Sequence, residues 1–292
     1  MSFLNFNNSY FLFRNYHIIL IFFSTILCIC SCQDEPVKPI KPKEKAKPSK
    51  IITSSTKYID STAEKSGLQI KWAKKGTGSE LENGDVVLIN YVVSLPNGKL
   101  VDGSSKITKS DLPFMVGYNI QNKGWDMAMR KMKVGDVATV IIPAELGWSD
   151  KSLGEVLPAN SDLIVQLFVV KKINPATSLN GSKIWRWSLK KNEKKDLAFG
   201  PNKRIKFHLL VNSQEEVGLI NTYAKNSIIS NQFEDEIEPA SLKKALTNAK
   251  KGQGIFILVS PQEVAKIKGI DKNKLSNNSL LYSVQVLDVY TD

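Results

Sequence analysis

The 292-residue sequence has few of the side chains on which most thiol and metal chemistry depends. Its three cysteines are Cys28, Cys30 and Cys32, and its two histidines are His17 and His208. Without cysteine after residue 32, a later domain has no disulfide scaffold, catalytic thiol or cysteine metal site. Two histidines so far apart also argue against a histidine metal site. We therefore expect neither a metal nor a cofactor.

Acidic residues are too few to balance the basic ones. The chain has 40 Lys and Arg against 28 Asp and Glu, a formal net charge of +12, and 42% of its residues are hydrophobic. A basic protein can bind nucleic acid or an anionic surface. Here the charge is distributed along the chain, so no single domain is as basic as the total implies. The length favours two folded domains.

The first 31 residues have the pattern of a secretory signal peptide. Arg14 precedes an apolar run over residues 18–27, which is shorter than the roughly 20 residues of a membrane-spanning helix. The sequence ICSC then ends at Cys32 and resembles the bacterial lipoprotein box. The resemblance implies a lipid on Cys32 and anchoring in the bacterial cell envelope, with the outer membrane, on its periplasmic or surface face, as the expected place. An uncleaved membrane anchor is the alternative.

Residues 32–65 are predicted to form a tether. The stretch 36–50 contains four prolines and six lysines. Proline favours an extended, semi-rigid chain, and like charges extend it further. We expect a solvated stalk, and contact with lipid headgroups or cell-wall polymer is the alternative.

Residues 66–172 are predicted to form an α+β domain, an antiparallel sheet wrapped around one short helix. An alternating strand leads into the pair Asn97-Gly98, which predicts a hairpin turn with positive φ angles. Apolar residues at helical spacing over 123–132 predict the helix, with Asn122 as its N-cap. The clearest predicted strands lie at 86–95, 137–142 and 162–170.

This region resembles the FKBP-type peptidyl-prolyl cis/trans isomerases along its whole length. The resemblance is carried by a strand tyrosine, an aspartate after the hairpin, an FMVG motif, a Gly-Trp pair and a Leu-Pro pair before the last strand. These are Tyr91, Asp102, residues 114–117, Gly124-Trp125 and Leu157-Pro158. The resemblance implies a peptidyl-prolyl isomerase whose apolar cleft accelerates rotation about X-Pro bonds without a covalent step or a cofactor.

The resemblance also implies the site residues. It places Trp125 at the floor of the cleft and Tyr91 and Asp102 on its wall, as catalytic residues. Without the surrounding motif, Trp125 is alternatively an ordinary core residue on one face of the helix. Asp102 is alternatively a turn residue that holds the backbone. The implied substrate contacts are Val101, Leu112, Phe114, the backbone N–H of Asn122, Trp148, Leu157 and Val165; Phe114 is alternatively a core residue.

The sequence departs from the family pattern at several of these positions. Aliphatic residues replace the usual aromatic rings at Val101, Leu112 and Val165, and Trp148 stands where a tyrosine is usual. We therefore expect a wider, less shape-specific cleft that binds proline and has weak isomerase activity.

The second half of the chain repeats the first. The segment KMKVGDVATVIIPAE is echoed by NAKKGQGIFILVSPQE, and NSDLIVQLFVV by NNSLLYSVQVL, so that Gly135 corresponds to Gly252. Residues 176–292 are therefore predicted to form a second, degenerate FKBP-like domain in tandem with the first.

The second cleft is predicted to be non-catalytic. Leu209 stands where the first copy has Tyr91, and Leu242 stands where it has Trp125. No aspartate clearly matches Asp102.

Positive charge gathers over Lys183–Lys206, where Trp185 and Trp187 lie among the basic residues. Tryptophans among lysines are typical of stacking surfaces for nucleic acid, and also of an amphipathic edge hairpin with its tryptophans in the core. Because we expect the protein to be exported across a membrane, we do not expect nucleic acid as a partner. Contact with an anionic envelope polymer stays open.

Two functions follow from these patterns. The first is an envelope-anchored isomerase that acts on proline-containing polypeptides and assists the folding of exported proteins. The alternative is a tandem lipoprotein that binds a proline-containing or envelope partner without turning it over.

Overall fold

The computed structural model describes residues 57–104, 111–188, 196–267 and 279–291, and in addition residues 271, 273 and 275. Within these ranges, residues 153, 155 and 225 are not described. These residues form two units, and each unit is a seven-stranded antiparallel sheet with short helices. The predicted signal peptide, Cys32 and most of the predicted tether lie outside the described residues. Within the described part of the chain, no helix is long and apolar enough to cross a membrane.

In the described residues, the first sheet packs against a seven-residue helix. Its strands are β1 (Asp60–Ala63), β2 (Gln69–Lys74), β3 (Val86–Ser94), β4 (Leu100–Gly103), β5 (Leu112–Met115), β6 (Val137–Ile142) and β7 (Leu163–Ile173). Their order is β1-β2-β6-β7-β3-β4, and β5 also pairs with β3. Because β1 precedes residue 66, the folded unit begins inside the predicted tether, which corrects that boundary. A short 3-10 turn covers Ala144–Leu146.

Helix α1 (Lys123–Met129) begins where its cap was predicted. Asn122 has extended backbone angles, and its side-chain oxygen accepts a hydrogen bond from the Trp125 backbone N–H at 3.0 Å. This satisfies one of the N–H groups that have no partner within a helix. Trp125 and Met129 face the core and are at most 2% exposed.

The hairpin between β3 and β4 differs from the prediction in its turn. Only Gly98 has a positive φ, +81°, while the Asn97 side chain accepts a hydrogen bond from the Lys99 backbone N–H. The pairing register shifts between Val93, opposite Asp102, and Ser94, opposite Leu100. The predicted hairpin is therefore present, but the positive φ angle expected at Asn97 is not, and the hairpin accommodates an additional residue as a β-bulge.

The second unit has the same strand order as the first. Its strands are β8 (Thr177–Leu179), β9 (Ser182–Ser188), β10 (Arg204–Asn212), β11 (Ile220–Asn221), β12 (Ile229–Gln232), β13 (Gln253–Val259) and β14 (Leu280–Tyr290). Read in the same direction as the first sheet, their order is β8-β9-β13-β14-β10-β11, and β12 also pairs with β10 as β5 pairs with β3. Its helices are α2 (Ala240–Leu246) and α3 (Pro261–Val264).

The pairing register of the two sheets agrees with the sequence repeat. Val137 lies opposite Phe168 in the first sheet, and Gly254 lies opposite Gln285 in the second. Gly254 follows Val137, and Gln285 follows Phe168, by the same number of residues that separates Gly135 from Gly252. The repeat detected in the sequence is thus also a repeat of topology.

The two units pack against each other through an apolar cluster, the interunit cluster. Its buried members are Val86, Met115 and Tyr118 from the first unit, and Trp185, Phe256 and Leu281 from the second. The Trp185 indole N–H also donates to the Ile173 carbonyl at 3.0 Å. Trp185 is 4% exposed, and its strand β9 forms with β8 the hairpin at the edge of the second sheet, so this indole lies in the core rather than on a stacking surface.

Candidate active site

Two predicted site residues meet on neighbouring strands of the first sheet. The Tyr91 hydroxyl, on β3, donates a hydrogen bond to the Asp102 carboxylate, on β4, at 2.6 Å. Each residue is only 4% exposed. The β-bulge at Val101 explains how both Val101 and Asp102 are buried although they are adjacent in one strand.

The third predicted residue, Trp125, completes the constellation from helix α1. The Tyr91 ring meets the Trp125 ring edge-on, with centroids 5.2 Å apart and an interplanar angle of 77°. Phe114 lies on another side of the indole, with centroids 5.9 Å apart. The structure therefore brings Tyr91, Asp102 and Trp125 together, and it gives Phe114 a contact with them.

Burial sets the electrostatics of this group. Loss of solvent, and then the nearby Asp102 carboxylate, raise the pKa of the Tyr91 hydroxyl far above its usual value. The phenol therefore stays protonated and acts only as a hydrogen-bond donor toward Asp102. The carboxylate is thereby oriented in an apolar environment, where its interactions with a polar ligand are strengthened.

The remaining predicted contacts belong to the same apolar cluster. Val101, Leu112, Trp148, Leu157 and Val165 are all members of the first unit's core, and none is more than 8% exposed. The aliphatic residues Val101, Leu112 and Val165 thus belong to the same core cluster as Tyr91 and Trp125.

Three buried N–H groups of the site have no hydrogen-bond acceptor among the described residues. They are the Asn122 side-chain amide nitrogen and the indole nitrogens of Trp125 and Trp148. A buried polar group without a partner is costly. Three such donors in one site favour a ligand rich in carbonyl oxygens.

A buried carboxylate next to the site was not predicted from the sequence. Asp126 is fully buried, accepts a hydrogen bond from the Gly117 backbone N–H at 2.7 Å, and pairs with Arg130 at 2.8 Å. Burial raises the pKa of Asp126, and the Arg130 guanidinium opposes that rise. The only sequence signal was the i, i+4 spacing of Asp126 and Arg130 in the helix.

The second unit has other residues at the positions that match this constellation. Ile220 lies opposite Val211 as Asp102 lies opposite Val93, so an isoleucine stands in the aspartate's place. Leu209 and Leu242 are buried at the positions matched to Tyr91 and Trp125.

One local interaction is kept in both units. The Tyr91 backbone N–H donates to the Ser104 hydroxyl, and the Leu209 backbone N–H donates to the Thr222 hydroxyl, each at 2.9 Å. The two units thus share this backbone contact although they differ at the positions of Tyr91, Asp102 and Trp125. This equivalence was invisible in the sequence, because it depends on strand register.

Other predicted sites are only partly described. Lipidation of Cys32 lies outside the described residues, as do residues 189–195 of the basic segment Lys183–Lys206. Within the described ranges, no group of three or more His, Cys, Asp or Glu side chains is placed to hold a metal ion.

Comparison with known proteins matches most of the first unit to one family. The family model of the FKBP-type peptidyl-prolyl cis-trans isomerases matches residues 78–170. FK506-binding protein 1B of Neurospora crassa is 33% identical over 99 residues, which are 32% of this chain and 88% of that protein. FK506-binding protein 4 of the same fungus is 35% identical over 139 residues, but these are 47% of this chain and only 27% of that protein.

Among solved structures, the crystal structure of AtFKBP13 is similar at 28% identity and a TM-score of 0.37. The match covers 39% of this chain and 99% of that one.

Proposed function

The chain belongs to the FKBP-type peptidyl-prolyl cis-trans isomerase family, and from this premise we propose that its first unit accelerates rotation about X-Pro bonds in polypeptides. The observation that carries the proposal is the contact of Tyr91, Asp102 and Trp125 in one buried group. The matched family region, residues 78–170, contains all three.

The chemistry is a change of shape rather than of covalent bonds. Rotation about the peptide bond must overcome roughly 18–20 kcal/mol, because the planar amide is stabilised by resonance. Water favours the planar, more polar form, so an apolar site favours the twisted form by comparison. That is stronger binding of the transition state than of the ground state.

The site supplies the groups that such a reaction needs. Trp125 offers an apolar indole face for the proline ring, and the Tyr91–Asp102 pair supplies a fixed dipole beside it. The indole N–H of Trp148 is a buried donor for a peptide carbonyl. Helix α1 uses the side chain and the carbonyl of Asn122, which leaves that residue's backbone N–H for a second substrate carbonyl.

The test is a proline-isomerisation assay on the full chain. The uncatalysed reaction takes tens to hundreds of seconds, so weak catalysis is measurable. Asp102→Ala and Trp125→Leu should each lower kcat/KM at least tenfold. Leu242→Met, at the matching position of the second unit, should leave it unchanged. A wild-type chain that binds proline peptides without accelerating them would favour the binding alternative.

We also propose that the protein is a lipoprotein of the bacterial envelope. Support comes from the sequence ICSC after a short apolar run. Cys32→Ala should release the protein from membranes or stop its processing, while Cys28→Ala should do neither. Normal membrane fractionation and cleavage of Cys32→Ala would contradict the proposal. In the envelope, the natural substrates would be exported proteins that contain proline.

The second unit is proposed to be a degenerate, non-catalytic FKBP-like domain. Support comes from its matching strand order and from Leu209, Ile220 and Leu242 at the three catalytic positions. We propose contact between an anionic envelope polymer and the basic segment Lys183–Lys206, on the basis of its lysines and arginines. Loss of polymer binding on replacing Lys203 and Lys206 by Gln would support that contact.

A further inference from the structure

The loop between β5 and α1, residues 116–122 and called the β5–α1 loop, leads directly into the site. It ends at Asn122, which caps α1 next to Trp125. Two of its residues have left-handed backbones, Gly117 with φ +93° and Asn119 with φ +49°. A non-glycine residue adopts such angles at an energetic cost, so a loop of this shape depends on the contacts that hold it.

Part of that support comes from the second unit through Asn212. This residue ends β10 and is 1% exposed. Its side-chain N–H donates to the Tyr118 backbone carbonyl at 3.0 Å, and its side-chain oxygen accepts from the Gly218 backbone N–H at 2.9 Å. The second bond fixes the orientation of the amide, so the donor is held toward the loop of the first unit.

Gln214 adds two further bonds to the first unit. Its backbone carbonyl accepts a hydrogen bond from the Asn119 side chain at 3.0 Å. Its side-chain oxygen accepts one from Asn83 at 3.2 Å. Between these bonds the Tyr118 side chain is buried in the interunit cluster. Consecutive residues of the loop are therefore tied to the second unit through main chain and side chains together.

We propose that Asn212 is a positioning residue of the isomerase site, and that the second unit acts as a brace for the β5–α1 loop. The proposal rests on the proposed function of the first unit. Asn212 touches no substrate in this scheme. It fixes the Tyr118 carbonyl, and through the following residues it sets where the Asn122 backbone N–H and the Trp125 ring lie.

The brace predicts a particular kinetic effect. The Asn122 N–H would hold a substrate carbonyl equally in the ground and transition states, because that carbonyl does not belong to the rotating bond. Loss of such uniform binding raises KM with little change in kcat. A merely structural effect would instead lower the folded fraction, which lowers the apparent kcat and leaves KM unchanged.

Two variants of the full chain test this from opposite sides of the interface. Asn212→Asp keeps the acceptor for Gly218 but has no donor for the Tyr118 carbonyl. Asn119→Gly removes the bond to Gln214 and tolerates the left-handed backbone. The matched control is Thr222→Val, which removes buried hydrogen bonds to His208 and Leu209 within the second unit.

We expect KM for a proline tetrapeptide to rise about threefold to tenfold in Asn212→Asp and Asn119→Gly, with kcat per folded molecule nearly unchanged. The control should keep the wild-type KM. Thermal unfolding followed by circular dichroism gives the folded fraction, and Asn119→Gly keeps the test valid if Asn212→Asp does not fold. An unchanged KM in the folded variants overturns the proposal.

The same measurements distinguish a wrong enzyme assignment from a wrong role for the second unit as a brace. If the wild-type chain binds the peptide without accelerating isomerisation, the enzyme assignment is wrong, and the dissociation constant takes the place of KM. A rise in that constant in both variants, but not in the control, then supports the brace. A wild-type chain that neither binds nor accelerates overturns both proposals.

Discussion

The Tyr91 hydroxyl donates a 2.6 Å hydrogen bond to the Asp102 carboxylate inside the core of the first unit. Tyr91 is on β3, and Asp102 lies just after the β-bulge on β4. A hydrogen bond to an ionised group is among the stronger ones in proteins. This bond links the strand framework to the indole of Trp125, which the Tyr91 ring contacts edge-on.

Removal of that donor should affect both stability and activity. In Tyr91→Phe the buried carboxylate loses a hydrogen bond, so we expect the free energy of unfolding to fall by about 1.5–3 kcal/mol. We also expect kcat/KM to fall several-fold. Urea unfolding and the isomerase assay measure the two effects. Tyr282→Phe, a buried tyrosine of the second unit, is the control and should leave kcat/KM at the wild-type value.

The indole N–H of Trp148 should be a substrate contact. It is buried and has no acceptor among the described residues. Trp148→Phe keeps most of the ring and removes the donor, so affinity for proline peptides should fall about fivefold, the effect of one hydrogen bond. Trp187→Phe is a matched control, since the Trp187 indole N–H is buried in the same way and its ring packs on Phe256. Equal peptide affinity in wild type and Trp148→Phe would remove Trp148 from the site.

The first unit should depend on the second for stability. Val86, Met115 and Tyr118 are at most 1% exposed in the interunit cluster, and a chain ended after residue 175 would expose them. Each such side chain contributes roughly 1.5–3 kcal/mol when fully buried. We expect the shortened chain to unfold at a lower temperature and to bind a hydrophobic dye. An unfolding temperature equal to that of the full chain would show that the units are independent.

The stability of the second unit should depend on pH through His208. This side chain stacks on Tyr223, with centroids 4.2 Å apart, and its Nδ1 bonds the Thr222 hydroxyl at 3.0 Å. Burial lowers the pKa of His208, so the folded state binds a proton less readily than the unfolded state. The free energy of unfolding therefore falls as pH drops below about 6.5, the ordinary histidine value.

Chemical denaturation between pH 7 and pH 5 tests this dependence. In His208→Gln the difference between the two pH values should be smaller than in wild type. An identical pH dependence in both proteins would exclude His208 as its source.

The sequence determined the features that are set locally. Asn122 was predictable as a cap because its side chain bonds a backbone N–H only three residues away. The strands near 86–94 and 137–142 were predictable because alternating apolar residues must place one face of a sheet in the core. Tyr91, Asp102 and Trp125 were identified through a motif order that resembles one family, and the structure brings them together.

Tertiary structure alone decided the features that depend on register and docking. The bulge that buries Asp102 follows from how β4 pairs with β3, and one shifted residue reverses the direction of every side chain that follows. The correspondence of Ile220 with Asp102 appears only in the pairing of β10 with β11. Asn212 gave no sequence signal, because its partner Tyr118 belongs to a different unit. Short-range periodicity records which side of an element is buried, but it holds no information about the distant surface that buries it.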